Sequence, residues 1–115
     1  MPQYMLMFVG DDDAWAAQPN EQRKSAYTEI GKWWDDLSKK GVIKSGGELD
    51  HQKTATTVRR VNGQMKVNDG PFIESKEHVG GYALIAVPDL DAAIAIAKSW
   101  PGKSTTVEVR PIVER

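Results

Sequence analysis

The sequence predicts an α+β fold in which one antiparallel sheet carries two helices on a single face. Three observations lead to this prediction. The chain makes two passes of strand, helix and strand, two of the strands are apolar on both faces, and a β-hairpin signal separates the passes. Its 115 residues leave room for one modest core, so we expect a single domain spanning residues 1–115.

The first strand, Tyr4–Val9, has apolar residues at both its odd and its even positions. A strand of this kind needs cover on both sides of its sheet. Three consecutive acids follow it at residues 11–13. They lack the alternating ligand spacing of a calcium loop, so we expect a solvated turn there and no metal.

A long helix is predicted from Asn20 to Lys40, where apolar residues recur at helical spacing. Gly41 supplies its C-terminal cap. The adjacent Trp33 and Trp34 cannot both face the core. We therefore expect one of them to pack inward and the other to lie at a pocket wall or a subunit contact, with plain packing of both as the alternative.

A short strand and a hairpin come next. Residues 42–49 form the strand, in which Gly46-Gly47 predicts a bulge or a close backbone approach. Asn62-Gly63 is the strongest dipeptide signal for a two-residue hairpin turn. The neighbours Arg59 and Arg60 point to opposite faces of this hairpin, so that one can face a pocket while the other meets water.

The second pass contains a strand at Gly81–Val87, a helix from Leu90 to Trp100 capped by Asp89, and an edge strand at Val107–Ile112. The inner stripe of this helix is expected to comprise Leu90, Ala93, Ile94 and Ala97. Taken with the first pass, this order of elements predicts a ferredoxin-like sandwich with an extra β-hairpin.

The second face of the predicted sheet leads us to expect a homodimer. Both helices cover one face, while the two central strands are apolar on the other face as well, so a monomer would expose a large apolar surface. Two sheets stacked face to face around a two-fold axis would bury it. A cleft in such a dimer would suit a small-molecule ligand.

Composition excludes several functions. The net charge of −1 provides no basic field for nucleic acid, and the absence of cysteine excludes disulfides, thiolate metal sites and cysteine nucleophiles. The histidines lack zinc-ligand spacing, and no phosphate-loop pattern occurs, so we expect neither a metal nor a cofactor. Apolar runs are far shorter than the ~20 residues of a membrane span, and no signal peptide is recognised, so we expect a cytoplasmic protein without a membrane partner.

Residues 69–82 contain the densest set of chemical groups in the chain. Asp69-Gly70-Pro71 is a turn signal, and we expect Phe72 to anchor the following loop in the core. A neighbouring carboxylate could hold His78 as a neutral base. The alternative is a structural loop with solvated charges, in which His78 is exposed, as we also expect for the other histidine, His51.

The candidate site residues follow from this stretch. The candidate catalytic residues are His78, Asp69 and Glu74. The candidate ligand-binding residues are Phe72, Lys76, Glu77, Tyr82, Trp33 and Arg59.

The same stretch carries a family resemblance. It contains Asp69-Gly70-Pro71-Phe72, Glu74, Lys76-Glu77 and Gly80-Gly81-Tyr82, and later Pro88-Asp89-Leu90-Asp91. These residues resemble the DGPF subgroup of the YciI-like (YCII-related) proteins, and the similarity covers nearly the whole chain. It implies a dimeric α/β barrel and a bacterial protein, in a subgroup often associated with alternative sigma factors. Shorter relatives resemble enzymes because they pair a histidine on or near the first helix with an aspartate, whereas the first helix predicted here contains no histidine.

Three functions remain open at this point. The first is a dimeric small-molecule-binding or regulatory protein without turnover. The second is a cofactor-free enzyme of the isomerase, lyase or monooxygenase type, acting on a small organic substrate in a cleft near the DGPF loop. The third is a structural or interaction module with a filled dimer interface. A pocket that holds a free base favours the second, and a pocket of polar groups without one favours the first.

Overall fold

A computed structural model describes residues 1–115 as six strands, three α-helices and one short 3-10 helix. The strands are β1 (Gln3–Gly10), β2 (Ile43–Glu48), β3 (Thr56–Val61), β4 (Gln64–Asp69), β5 (His78–Ala86) and β6 (Thr106–Pro111). The helices are α1 (Asp12–Ala17), α2 (Asn20–Lys39) and α3 (Leu90–Lys98), and the 3-10 helix covers Gln52–Thr54.

Four strands form the main sheet, in the order β2-β5-β1-β6 with every neighbouring pair antiparallel. This arrangement confirms the α+β prediction and is compatible with the ferredoxin-like topology. Strands β3 and β4 form a separate two-stranded sheet. Their turn residues Asn62 and Gly63 have positive φ angles of 51° and 79°, as a type I′ turn requires, and the predicted extra hairpin is confirmed.

The core lies between one face of the main sheet and the two longer helices. Its buried side chains are Tyr4, Leu6, Phe8, Leu37, Ile43, Ala83, Ile85, Val87 and Ala93. They join alternate residues of β1 and β5 to Leu37 of α2 and Ala93 of α3. Both helices therefore cover the same face of the sheet, because successive strand residues point to opposite sides.

The opposite face of the main sheet has apolar side chains and no helix. The register places Met5 opposite Leu84 and Met7 opposite Tyr82, and all four side chains are only half-buried. Both central strands therefore have apolar groups on both faces, as predicted from their sequences.

Both tryptophans of the Trp33-Trp34 pair pack against the core, so the expectation that they cannot both face it is wrong, and plain packing of both is the alternative found. Trp33 donates from Nε1 to Ser99 Oγ at 2.8 Å and meets Phe8 edge to face. Trp34 lies over Gly46 in β2. A second inward tryptophan fits because Gly46 has no side chain.

The inner face of α3 differs from the predicted stripe. Leu90 and Ile94 are exposed at 50% and 36%, whereas Ala92, Ile96 and Trp100 pack against the core beside Ala93 and Ala97. These inward residues still follow the three- and four-residue spacing of a helix face. The helix is therefore rotated, with its two largest predicted core residues turned outward.

The chain is flatter than a compact domain of its size. Its Cα radius of gyration is 16.1 Å and its extents are 46 × 44 × 19 Å, against about 13 Å for the radius of a compact chain of this length. Its accessible surface is 8203 Å², whereas a folded monomer of its mass exposes about 6,200 Å². Only 10 of 115 residues are buried, so much apolar surface lacks cover.

None of the three helices combines the length and the apolar character that crossing a membrane requires.

Replacing Gly46 with alanine tests the packing of β2. A Cβ there would lie 2.3 Å from the Tyr82 carbonyl oxygen and 2.6 Å from Trp34, at a φ of +151°. We expect Gly46→Ala to lower the free energy of unfolding by about 3 kcal/mol, through backbone strain and overpacking. Chemical denaturation measures this loss, with Gly47→Ala as the control because its Cβ meets nothing within 4 Å. Equal stability of the two variants would contradict the packing described.

Candidate functional site

The acids that follow β1 make hydrogen bonds and begin a helix, so the turn predicted there is wrong, although the Asp13 side chain stays 83% exposed to solvent. Asp11 caps α1 by accepting from the Ala14 backbone at 3.1 Å. Asp12 Oδ2 accepts from the Gln52 backbone at 2.9 Å, and Asp13 Oδ1 lies 2.8 Å from His51 Nε2. Two of the three carboxylates therefore tie α1 to the segment after β2, and the third starts the helix.

His51 is fixed at both ring nitrogens. The Lys53 backbone N–H donates to Nδ1 at 3.0 Å, so this nitrogen carries no proton. The proton then resides on Nε2, which donates to Asp13 Oδ1. Only 21% of the side chain is exposed, so the residue is less open than the predicted surface histidine.

His78 begins β5 and is half-buried. The Ser75 backbone N–H donates to its Nε2 at 3.2 Å, which places the ring proton on Nδ1. The Ser75 carbonyl oxygen in turn accepts from Gln52 Nε2 at 3.3 Å. This contact links the loop before β5 to the 3-10 helix that follows His51.

The two histidines line one cleft, which we call the histidine cleft, with a volume of about 410 Å³. Its wall comprises Asp12, Leu49, Asp50, His51, Gln52, Thr54, Ala55, Pro71, His78 and Val79. The lining combines carboxylates, imidazoles and apolar side chains and includes no lysine or arginine. Its volume falls within the range of small-molecule sites.

A second groove, of about 450 Å³, runs between α3 and β6. Apolar side chains such as Ile94, Val107 and Val109 line most of it, and Lys98 is its one ionisable residue. Because it gathers no set of polar groups, we place the candidate site in the histidine cleft, which is the smaller of the two.

The predicted catalytic residues are not brought together. His78 lines the histidine cleft, but Asp69 and Glu74 do not. Asp69 ends β4 opposite Thr56, and Glu74 lies exposed in the loop before β5. The acids near the histidines are instead Asp12, Asp13 and Asp50.

The prediction that Phe72 anchors its loop in the core is wrong, because 69% of its surface is exposed. The loop leaves the separate hairpin, which stands away from the main sheet, so it does not reach the helix-covered face. Lys76 and Glu77 are exposed on the same loop. None of the three lines the histidine cleft.

The other predicted ligand contacts also lie outside this cleft. Trp33 packs in the core, as described above. Tyr82 lies on the uncovered face of the main sheet, opposite Met7. Arg59 is exposed on β3, directly across from Lys66.

A tyrosine contact fixes the helices beside the cleft. Tyr27 of α2 donates its hydroxyl to Glu48 Oε2, at the end of β2, at 2.8 Å, and its ring meets Trp15 of α1 edge to face at 5.3 Å. Burial raises the pKa of Tyr27 above 10.0, and the hydrogen bond to Glu48 and the charge of Glu48 raise it further. The contact joins α1, α2 and β2 on the side from which Leu49 enters the cleft.

We expect the Tyr27 contact to respond to alkaline pH. Because the folded-state pKa lies above the unfolded value of 10.0, the contact stabilises the fold fully below pH 10.0 and loses this effect as pH rises through the folded pKa. The Tyr27 transition is the difference between the ultraviolet titration of the wild type and that of Tyr27→Phe, which retains Tyr4 and Tyr82. Glu48→Gln should move that transition to lower pH, because it removes the negative charge. An unchanged transition would contradict the contact.

Nitrogen-15 NMR tests the two histidine tautomers, since the chain has only two histidines. In the neutral form of each ring, His51 should be protonated at Nε2 and His78 at Nδ1. The backbone donors of Lys53 and Ser75 impose this difference. Two imidazoles in the same tautomer, or both exchanging between tautomers, would contradict the geometry.

Comparison with known proteins identifies the family. Residues 3–115 match the model of the YCII-related domain. The chain is similar to an uncharacterised protein of Rhizobium meliloti (strain 1021), with 28% identity over 115 residues that cover 95% of this chain and 90% of that protein. Because the family model spans all but the first two residues, the chain belongs to the YCII-related domain family.

Proposed function

We propose that the protein is a homodimer that binds a small molecule in the histidine cleft without turning it over. One observation carries the proposal: in both histidines, the nitrogen that has a lone pair already accepts a backbone N–H. A general base needs such a nitrogen within reach of the proton that it removes. The cleft therefore favours recognition of a ligand over proton abstraction from it.

The polar groups of the cleft retain capacity for a ligand. The Nδ1–H of His78 makes no hydrogen bond within the protein and can donate to a ligand acceptor. Asp12 and Asp50 each use one carboxylate oxygen on a backbone N–H, of Gln52 and His51 respectively, which leaves the second oxygen of each as an acceptor.

Charge and shape narrow the ligand class. With two carboxylates in its wall and no lysine or arginine, the cleft suits a neutral or cationic ligand better than an anion. Leu49, Pro71 and Val79 provide an apolar side for the body of the ligand. We expect a small organic molecule with an amine or another donor group, and with an acceptor for His78.

The surface of the chain supports the homodimer. The accessible surface exceeds that of a compact monomer by about 2,000 Å². Stable homodimers commonly bury 2,000 Å² or more in total. Contact between two copies through Met5, Met7, Tyr82 and Leu84 would cover the apolar face that the helices leave open, and each Å² of it contributes about 25 cal/mol.

A cofactor-free enzyme of the isomerase, lyase or monooxygenase type is the alternative. The contact between Asp13 and His51 favours it, because a carboxylate 2.8 Å from an imidazole can orient a catalytic histidine. Base catalysis would require His51 Nδ1 to leave the Lys53 N–H. The regulatory role, including the association with sigma factors implied by resemblance, stays a prediction.

A ligand screen with a blocked cleft tests the proposal. Val79→Trp would fill the cleft, and Val113→Trp, at a position that is 69% exposed near the C-terminus, is the matched control. We expect neutral or cationic organic compounds that shift backbone amide signals around His51 and His78 to lose affinity at least about tenfold in Val79→Trp and to bind Val113→Trp normally. Compounds that bind both variants equally would contradict the cleft as the site.

The same screen separates binding from turnover. Proton NMR of each bound compound over time should show no product. A product that appears with the wild type and not with Asp13→Asn would support the enzyme and overturn the proposal.

A further inference from the structure

We propose that the β3–β4 hairpin is an arm that docks its apolar face on a second copy of this chain. The inference rests on the proposed homodimer and goes beyond it, because it assigns the hairpin a role that the sheet contact does not require.

One face of the hairpin, which we call the apolar face, carries three apolar side chains, with Arg60 opposite Met65 and the pair Thr56 and Asp69 at its base. The other face, which we call the polar face, is polar except for Val61. Val58 lies directly opposite Val67, and Met65 lies on the same face two residues further along β4. These side chains are 53%, 66% and 54% exposed, in that order. In antiparallel sheets one face commonly packs on a core while the other meets water, and here the apolar face has no cover.

The polar face is suited to remain in water. Arg59 and Lys66 oppose each other directly across the two strands, and neither forms an ion pair with a carboxylate. Two like charges in this position repel each other, and solvent weakens the repulsion. The apolar face is therefore the one that docks.

The hairpin has little support from its own chain. At its base, the Gly70 N–H donates to the Ala55 carbonyl oxygen and the Thr57 hydroxyl donates to the Gly70 carbonyl oxygen, both at 2.7 Å. These bonds close the hairpin on itself. It makes no substantial packing contact with the main sheet or the helices, and an isolated two-stranded hairpin is at best marginally stable in water.

The area of the sheet face indicates that the second copy is the occupant. Four strands of six to nine residues make a face of roughly 20 × 25 Å, which is too small to account for the excess surface of about 2,000 Å². The hairpin face and the loop after it, with Phe72 and Ile73 exposed at 69% and 64%, supply the next apolar area. In a two-fold dimer each copy provides both an arm and a surface to receive one, so both arms can be covered in one assembly.

Paired substitutions on one strand test the arm. Met65→Glu with Val67→Glu places two charges on the apolar face of β4, and Gln64→Glu with Asn68→Glu places two charges on the polar face of the same strand. Analytical ultracentrifugation measures the Kd of the dimer for each variant and for Leu84→Glu, which alters the sheet face. We expect the apolar-face pair to raise the Kd at least about tenfold, the polar-face pair to leave it within about twofold, and Leu84→Glu to yield monomers.

The possible outcomes distinguish failure of the proposed arm from failure of the proposed homodimer. If the apolar-face pair dimerises as the wild type does while Leu84→Glu is monomeric, the sheet contact stands and the arm is refuted. If the wild type itself is monomeric, both the proposed homodimer and the arm fail. A Kd raised equally by both charged pairs would also overturn the arm, since general repulsion would then explain the loss.

A spin label locates the arm without a destabilising change. The chain has no cysteine, so Gln64→Cys can carry a single nitroxide at the hairpin. Mixed dimers are formed from one copy that carries the nitroxide but no nitrogen-15 and one copy that carries nitrogen-15 but no nitroxide. The nitroxide should then broaden amide signals of the nitrogen-15 copy. Amide signals of the nitrogen-15 copy that stay unbroadened would contradict docking, and binding of the wild type to a DNA duplex through Arg59 and Lys66 would assign the hairpin to nucleic acid instead.

Discussion

The rest of the structure depends on two central strands, β1 and β5, whose side chains are apolar on both faces of the sheet. In β1 and β5, alternate residues such as Leu6 and Ile85 are completely buried against the helices, and the residues between them, such as Met7 and Leu84, are also apolar. The chain has helices for only one of these faces. The helix-covered face makes a small core, and the open face makes the single chain flat and rich in exposed surface. The proposed homodimer and the proposed arm both rest on this imbalance.

The strand order that leaves one face open also builds the histidine cleft. Strands β1 and β2 both pair antiparallel with β5, so the segments after both of them emerge at the edge where β5 begins. One segment brings the acids of α1, the other brings His51, and His78 stands at the first position of β5. The cleft is thus a consequence of topology, and Asp13 meets His51 across 38 residues of sequence.

Periodicity predicted the strands, the helix α2 and the hairpin, because each depends on local spacing or on a turn dipeptide such as Asn62-Gly63. The fold class followed from their order. The site was harder to predict. Residues 11–13 were predicted to form a solvated turn, because the hydrogen-bond partners of Asp12 and Asp13 lie in a distant segment whose position local sequence patterns do not predict. The strand order of the sheet supplies the missing signal. Strands β1 and β2 run parallel to each other on the two sides of β5, so the segments that follow them, with Asp13 and His51, lie at one edge.

The errors concerning Phe72, Trp34 and α3 share a physical cause. Apolar character indicates that a side chain needs cover, but not which surface provides it. Phe72 lies on a loop away from the core, Trp34 finds room over a glycine, and the outward Leu90 and Ile94 leave the core side of α3 to smaller residues and Trp100. For Phe72 and the hairpin, we propose that another copy of the chain provides this cover.

Small-angle X-ray scattering combined with size-exclusion chromatography on the wild-type protein tests whether the open sheet face is covered by a second copy. We expect one species of twice the chain mass of 12.7 kDa, with a scattering profile that fits two chains joined through their open sheet faces. A single species of 12.7 kDa with a radius of gyration near 16 Å would show that the flat chain is stable alone, and would contradict the proposed homodimer.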